Sequence, residues 1–191
     1  MQIPLFPLNT VLFPGGPLPL RVFEPRYLDM ISRCMKDDAP FGVLLIRDGG
    51  EVGPASTWEV GTLAKVKDWY QGSDGILGIT AVGTERFRLR DAERQADGLN
   101  VGEVEVLPDL PSRALPAEYL PLANILSNVL DEFGLLYEDF DRHYDDAVWV
   151  AYRVIEVLPV ALESKQACLE SEDVLDCLKL AQRMIHTSDS D

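Results

Sequence analysis

The feature that most constrains the fold is a change in hydrophobic pattern near residue 108. Before it, short runs rich in Val, Ile, Leu and Thr alternate with turn residues, as is typical of β-strands. After it, apolar residues recur at intervals of three and four, which indicates helices. Prolines at 108, 111 and 116 separate the two patterns. The sequence therefore predicts an α+β protein with a β-barrel unit at residues 1–108 and a helical unit at residues 109–191.

Six strands and one helix are predicted in the first unit. The strand ranges are 18–23, 41–47, 60–68, 76–82, 87–91 and 101–106. Many short strands at this spacing favour a closed or nearly closed antiparallel barrel. The helix begins at Pro25, and Tyr27, Met30, Ile31 and Cys34 follow at helical spacing on one buried face.

Four helices are predicted in the second unit. The first has an apolar face that includes Phe133, and Gly134 ends it. The second is capped by Asp145, the third covers residues 165–169, and the fourth begins at the cap residue Ser171.

Composition limits the classes of function. The 191 residues contain 47% hydrophobic and 26% charged residues, which is the balance of an ordinary globular protein. The sequence has no apolar run of bilayer length, and prolines at 4 and 7 interrupt the start where a signal peptide would be smooth. We therefore expect a cytoplasmic protein that contacts no membrane. The three cysteines lack metal-site or disulfide spacing, so we expect buried free thiols.

The charge is strongly negative and unevenly distributed. The net charge is −15, with 11 basic and 15 acidic residues up to residue 108, and 6 basic and 17 acidic residues after it. Such a surface repels phosphate backbones, so nucleic acid is a poor candidate partner. Basic or hydrophobic peptides are better candidates.

A family resemblance lies in the residues themselves. The block Phe23-Glu24-Pro25-Arg26-Tyr27, preceded by Phe13-Pro14-Gly15, closely resembles the opening of the Lon N-terminal, or Lon substrate-binding, domain. The likeness continues through residues 41–47, 60–64, 82–88, 158–159 and 165–170. It implies a PUA-like antiparallel β pseudo-barrel with one inserted helix, followed by an α-helical bundle. In Lon proteases this region is associated with substrate recognition. Because the sequence leaves no room for an ATPase or protease domain after Asp191, we expect a stand-alone form of this domain.

A direct search for chemistry predicts no catalytic, cofactor-binding or metal-binding residues. The sequence has neither a phosphate-binding G-x-x-x-x-G-K-[ST] loop nor a G-x-S-x-G nucleophile turn. Ser164 and Lys165 are adjacent, so their side chains should point apart, as a helix cap and a surface lysine. The acidic segment 138–146 lacks the glycine and the closing glutamate of a calcium loop, and is expected to be a solvated loop.

Four residues are candidate contacts for a peptide or protein partner: Arg26, Tyr27, Trp69 and Tyr70. Arg26 and Tyr27 have two interpretations, namely packing around the helix start or lining a peptide groove. Trp69 and Tyr70 precede Gly72 at a predicted strand end, where they either pack or anchor an interface.

Two classes of function remain open at this point, and a third, RNA binding, is suggested by the PUA-like architecture but opposed by the net charge of −15. The first is a non-catalytic module that recognises unfolded or hydrophobic polypeptide, or a specific protein partner. The second is a hydrolase or a protease component that requires separate ATPase and peptidase chains.

Overall fold

The computed structural model describes residues 1–51, 53, 55–138 and 140–188. Of residues 135 and 186–188 only the backbone is described. The chain folds into two compact units, Met1–Pro108 and Asp109–Asp191.

Among the described residues of the first unit there are seven strands and one helix. The strands are β1 Gln2–Leu8, β2 Pro17–Val22, β3 Phe41–Gly49, β4 Ala55–Thr57, β5 Val60–Gln71, β6 Leu77–Arg94 and β7 Asn100–Val106, and helix α1 covers Pro25–Asp37. Strands β1, β7, β6, β5 and β3 pair in that order, and β3 pairs in parallel with β1. These pairings form a ring that is antiparallel except at β1–β3. The predicted α+β fold, with a pseudo-barrel and one inserted helix, is confirmed.

Strand β1 is missing from the sequence prediction because Pro4 and Pro7 argue against a strand. The structure shows how both prolines are accommodated. Residues Gln2 to Leu5 pair with β7, whereas Leu5 to Leu8 pair with β3. The strand changes partner at Leu5, so each proline lies in a stretch paired on one side only. A proline is tolerated in such a stretch because no strand on the unpaired side requires a hydrogen bond from the N–H that proline lacks.

Strand β6 corrects a second expectation. The ranges 76–82 and 87–91 were expected to be two strands, but they belong to one strand of 18 residues. Gly83, which resembles a turn residue in the sequence, lies within it. Its N–H donates to the carbonyl O of Gly16, and its own carbonyl O accepts from the N–H of Gly15. A Cβ at Gly83 would lie 2.4 Å from the carbonyl O of Phe13, so glycine permits this close backbone approach.

The interior of the barrel unit contains two apolar clusters. The larger lies where α1 packs on the strands and includes Phe6, Met30, Ile31 and Phe41. The smaller cluster is Ile3, Leu5, Leu44, Leu63, Phe87 and Val104. Helix α1 carries its predicted buried face and ends at Asp37, and Asp38, with a positive φ of 47°, caps it.

In the second unit, the part of the chain that the structure describes forms four α-helices: α2 Leu120–Glu132, α3 Ala147–Val157, α4 Leu162–Glu170 and α5 Val174–Ser188. Short 3-10 segments cover Ala117–Tyr119 and Gly134–Leu136. The predicted helical region is confirmed, but several details of the prediction were wrong.

The caps differ from the prediction because α3 and α5 begin later than expected, whereas α4 begins earlier, at Leu162. Asp146, not Asp145, caps α3: its Oδ1 accepts from the N–H groups of Val148 and Trp149 at 2.8 and 2.9 Å. Ser171 ends α4, and Asp173 accepts from the N–H of Leu175 at the start of α5. Phe133 does not complete the apolar face of α2 but is 51% exposed.

Candidate functional site

The ends of β5 and β6 form a hairpin that lies beside β2. Residues Asp68 to Gln71 pair with Leu77 to Thr80, and β2 pairs with the other side of β6. The result is a three-stranded ribbon. Its turn is fixed by hydrogen bonds from the N–H of Gly72 to the carbonyl O of Ile76, at 2.9 Å, and from the N–H of Gly75 to the carbonyl O of Gly72, also at 2.9 Å.

Asp74 ties this turn to β2. Its Oδ1 accepts from the N–H of Ile76 at 3.1 Å, and its carboxylate forms an ion pair with Arg21. The hydrogen bond from Ile76, assisted by Arg21, lowers the pKa of the Asp74 carboxyl below its ordinary value. The turn therefore has defined local partners despite being exposed.

Three large aromatic side chains are exposed at this end of the ribbon. Trp69 and Tyr70 are each 57% exposed and Phe23 is 61% exposed. Val22, Leu77 and Gln71 form one row across the three strands, and Phe23 directly follows Val22. Phe23 lies one residue beyond this row, whereas Tyr70 and Trp69 lie one and two residues before it. Because successive strand residues point to opposite faces, Trp69 and Tyr70 flank the ribbon end on its two faces. We call Phe23, Trp69 and Tyr70 the aromatic end.

The aromatic end is held by the strands beneath it. Tyr70 pairs in register with Gly78, and a Cβ on Gly78 would lie 2.2 Å from Cζ of the Tyr70 ring. The ring therefore lies against the backbone of β6 at Gly78, in space that the side chain of any other residue at position 78 would occupy. Trp69 pairs with the fully buried Ile79. Large aromatic groups fixed on a strand lose little conformational entropy on binding, which makes them effective interface anchors.

Arg26 and Tyr27 lie elsewhere in the barrel unit and are buried, 9% and 4% exposed. Arg26 donates from Nη1 to the carbonyl O of Gly98 at 2.8 Å and from Nε to Glu24 Oε2 at 3.0 Å. Its guanidinium lies 4.5 Å from the centroid of the Tyr27 ring, and that ring stacks on Phe6 at 4.0 Å. Burial raises the pKa of the Tyr27 hydroxyl. This geometry favours the structural interpretation for the pair, and their role in contacting a partner stays a prediction.

A cavity of about 200 Å³ lies on the barrel unit between α1, β1 and β7. Its lining includes the apolar residues Ile3, Met30, Leu99 and Val101. Polar and charged groups line it as well: Gln2, Arg33, Asp37 and Gln95. A mainly apolar hollow with a few polar groups is typical of ligand pockets. The sequence pattern marks Met30 only as a buried residue, because the cavity forms between elements that are distant in sequence.

The helical unit contains a buried charged group. Glu156 Oε2 accepts from the hydroxyl of Tyr137 at 2.8 Å and pairs with Nε of the buried Arg153 at 2.9 Å. Lys165 donates from Nζ to the carbonyl O of Glu156 at 2.8 Å. Desolvation raises the pKa of Glu156 and lowers that of Lys165.

This geometry corrects the expectation that Lys165 is a surface lysine. The side chain is half-buried because the end of α3 offers it a carbonyl acceptor. Its ammonium group donates a hydrogen bond to the backbone carbonyl of Glu156, so Lys165 helps to join α4 to the end of α3.

The described part of the chain contains no cluster of metal ligands and no helix that could cross a membrane. Among the residues outside the gaps at 52, 54, 139 and 189–191, no group of three or more His, Cys, Asp or Glu residues is placed to hold a metal ion. None of the described helices is both long and apolar enough to cross a membrane.

The family of the chain follows from a match over nearly its whole length. The model of the ATP-dependent protease La (LON) substrate-binding domain matches residues 2–187. The chain belongs to the Lon substrate-binding domain family. The match covers the barrel unit and nearly all of the helical unit, and it is to the substrate-binding part of Lon and not to a catalytic part.

Solved structures agree with this membership. This Lon substrate-binding domain aligns with the Lon N-terminal domain protein from Xanthomonas campestris at a TM-score of 0.78 and 33% identity, covering 96% of this chain and 98% of that one. The N-terminal domain of the Mycobacterium avium complex Lon protease aligns at a TM-score of 0.66 and 13% identity, covering 96% and 97%. The second likeness is one of fold alone.

Curated relatives are much longer than this Lon domain. Lon protease 2 of Myxococcus xanthus is 26% identical over 96% of this chain, which is 23% of that protein. Protein cereblon of Danio rerio is 33% identical over 63% of this chain, which is 29% of that protein. The chain thus spans about a quarter of the length of these relatives.

Proposed function

We propose that this Lon domain is a non-catalytic recognition module that binds unfolded or hydrophobic polypeptide through the aromatic end. The observation that carries the proposal is the exposure of Phe23, Trp69 and Tyr70 on one hydrogen-bonded ribbon. Large exposed apolar groups on a soluble surface are typical of interaction sites. The family, whose description names substrate binding, supports the same role.

The charge of the chain specifies the ligand further. With a net charge of −15, the protein attracts basic segments over long range and repels acidic ones. The expected ligand is therefore an apolar stretch flanked by lysine or arginine. The same charge opposes nucleic acid as a partner, and a cytoplasmic location stays a prediction.

The test uses two fluorescent peptides with the same apolar centre, one flanked by lysines and the other by glutamates. Fluorescence anisotropy should show that the full chain binds the lysine-flanked peptide more tightly, with the difference shrinking as salt is raised. Trp69→Ala and Tyr70→Ala should each weaken binding by about tenfold, the usual effect of removing an interface anchor.

Phe133→Ala is the matched control. Phe133 is a similarly exposed aromatic residue in the helical unit, so its removal should leave affinity unchanged. If all three variants bind like the unmodified chain, the aromatic end is not the binding surface. If Phe133→Ala alone weakens binding, the helical unit carries recognition instead.

A protease component that works with separate ATPase and peptidase chains is the second candidate, favoured by the alignment of 96% of this chain with a Lon protease. It predicts that the chain accelerates degradation of a bound peptide by an added ATPase–peptidase assembly, and that Trp69→Ala abolishes the effect. Cleavage of peptide by the purified chain alone, abolished by one substitution, would contradict both candidates.

A further inference from the structure

Two of the three cysteines meet in the helical unit. Cys168 lies in α4 and Cys177 in α5, and residues 171–173 connect the two helices. Both thiols are free and buried. Cys177 Sγ donates to the carbonyl O of Cys168 at 3.6 Å. The short turn between α4 and α5 therefore places two cysteines close together that lie nine positions apart in the sequence.

The pair is not sealed in the interior. Both cysteines line a cavity of about 260 Å³, together with Ser164, Ser171, Asp176 and Arg183. A small peroxide is close to water in size, and water occupies about 30 Å³ in the liquid. The cavity therefore gives an oxidant of this class enough room beside the two cysteines.

The two thiols differ in acidity. Interaction between the two thiol groups lowers the pKa of Cys168, and the same interaction, reinforced by burial, raises the pKa of Cys177. Because the thiolate is the reactive form of cysteine, Cys168 is the expected nucleophile and Cys177 the resolving thiol.

Cys34 provides an internal comparison. It is also buried and lines a cavity, the one on the barrel unit. Its Sγ donates to the carbonyl O of Pro40 at 3.9 Å, and burial raises its pKa. Cys34 therefore shares the burial and the cavity of the pair, but it has neither a lowered pKa nor a second thiol beside it.

We propose that Cys168 and Cys177 form a dithiol site that hydroperoxides oxidise to a disulfide between α4 and α5. The Cys168 thiolate attacks one oxygen of the peroxide, the O–O bond breaks, and the sulfur becomes a sulfenic acid while the other oxygen leaves as hydroxide or alkoxide and is protonated. The Cys177 sulfur then attacks the Cys168 sulfur, and the hydroxyl leaves as water. The two thiols lose two electrons and two protons in total, and the peroxide is reduced.

The experiment treats the folded full chain with hydrogen peroxide and follows free thiols and peptide masses. The unmodified chain and Cys34→Ser should each lose two thiols and yield a peptide pair joined through Cys168 and Cys177. Cys177→Ser should instead accumulate a sulfenic acid at Cys168, trapped by dimedone. Cys168→Ser should react at least about tenfold more slowly than the unmodified chain.

Circular dichroism of each variant before oxidation separates loss of reactivity from loss of fold. The proposal is overturned if Cys34 oxidises as fast as Cys168 in the folded chain. It is also overturned if the thiols react only after denaturation, or if the disulfide forms between two molecules. None of these results bears on peptide binding at the aromatic end, so the two proposals stand or fall separately.

Discussion

Replacing Arg26 by alanine should destabilise the barrel unit without removing a ligand contact. The substitution removes the hydrogen bonds to Gly98 and Glu24 and the stacking on Tyr27. This outcome would distinguish the two interpretations of Arg26 that the sequence leaves open.

The magnitude follows from the contacts. A hydrogen bond with a charged partner contributes about 1.5–3 kcal/mol, and a cation–π contact contributes about 0.5–1 kcal/mol when exposed and about 2 kcal/mol when desolvated. The side chain of Glu24 keeps 22% solvent exposure, so its bond to Arg26 is discounted for solvent screening. We expect Arg26→Ala to lower the free energy of unfolding by about 3 kcal/mol.

Urea denaturation measures this loss. Trp58 and Trp69 lie in the barrel unit and Trp149 in the helical unit, so a Trp149→Phe background makes tryptophan fluorescence report the barrel. With a slope of about 2 kcal/mol per molar urea, the midpoint should fall by about 1.5 M. Arg26→Lys keeps the charge but not the forked geometry, so it should lose about half as much stability.

The result that refutes this reasoning is specific. If Arg26→Ala leaves the urea midpoint unchanged but weakens binding of the lysine-flanked peptide, Arg26 contacts the ligand and its burial in the free chain is misleading. If both quantities fall, a binding measurement at low temperature, where the variant is fully folded, separates the two effects.

Three further predictions concern other residues. Asp146→Ala should lower the free energy of unfolding of the helical unit by about 1 kcal/mol because α3 loses its cap, whereas Asp145→Ala, measured by the same denaturation, should not. Gly78→Ala should displace the Tyr70 ring and weaken peptide binding in anisotropy while changing the thermal midpoint little, because the clash is with a movable side chain; a large fall in the midpoint would contradict this. Burial raises the pKa of Glu156, so the folded state holds more protons than the unfolded state and stability should fall as pH rises from the ordinary glutamate range towards the raised value. Glu156→Gln should remove that slope from a pH series of urea midpoints, and an unchanged slope would assign the pH dependence to other groups.

The local pattern of residues along the chain is enough to predict helix α1 and to indicate the family. The period of 3.6 at Tyr27, Met30, Ile31 and Cys34 predicts α1 and its buried face, because the helix geometry itself sets which residues share a side. The block from Phe23 to Tyr27 carries the family resemblance, which the match over residues 2–187 confirms.

The caps show where local pattern becomes ambiguous. Asp145 and Asp146 are adjacent and chemically identical, so the choice between them depends on the position of the first helical turn. The structure begins that turn at Ala147, whose N–H donates to the carbonyl O of Arg113. A contact with a residue more than thirty positions away therefore decides which aspartate caps α3.

The sequence by itself determined the change from strands to helices near residue 108, the buried face of α1 and the family, since these depend on residues close together along the chain. Only the tertiary structure decided that Pro4 and Pro7 lie within β1, that Phe23 joins Trp69 and Tyr70 at one end of a ribbon, and that Cys168 meets Cys177. Each of these facts depends on how separate elements pair or pack. No local period encodes strand register or helix contact, because both are set by the packing of the whole unit.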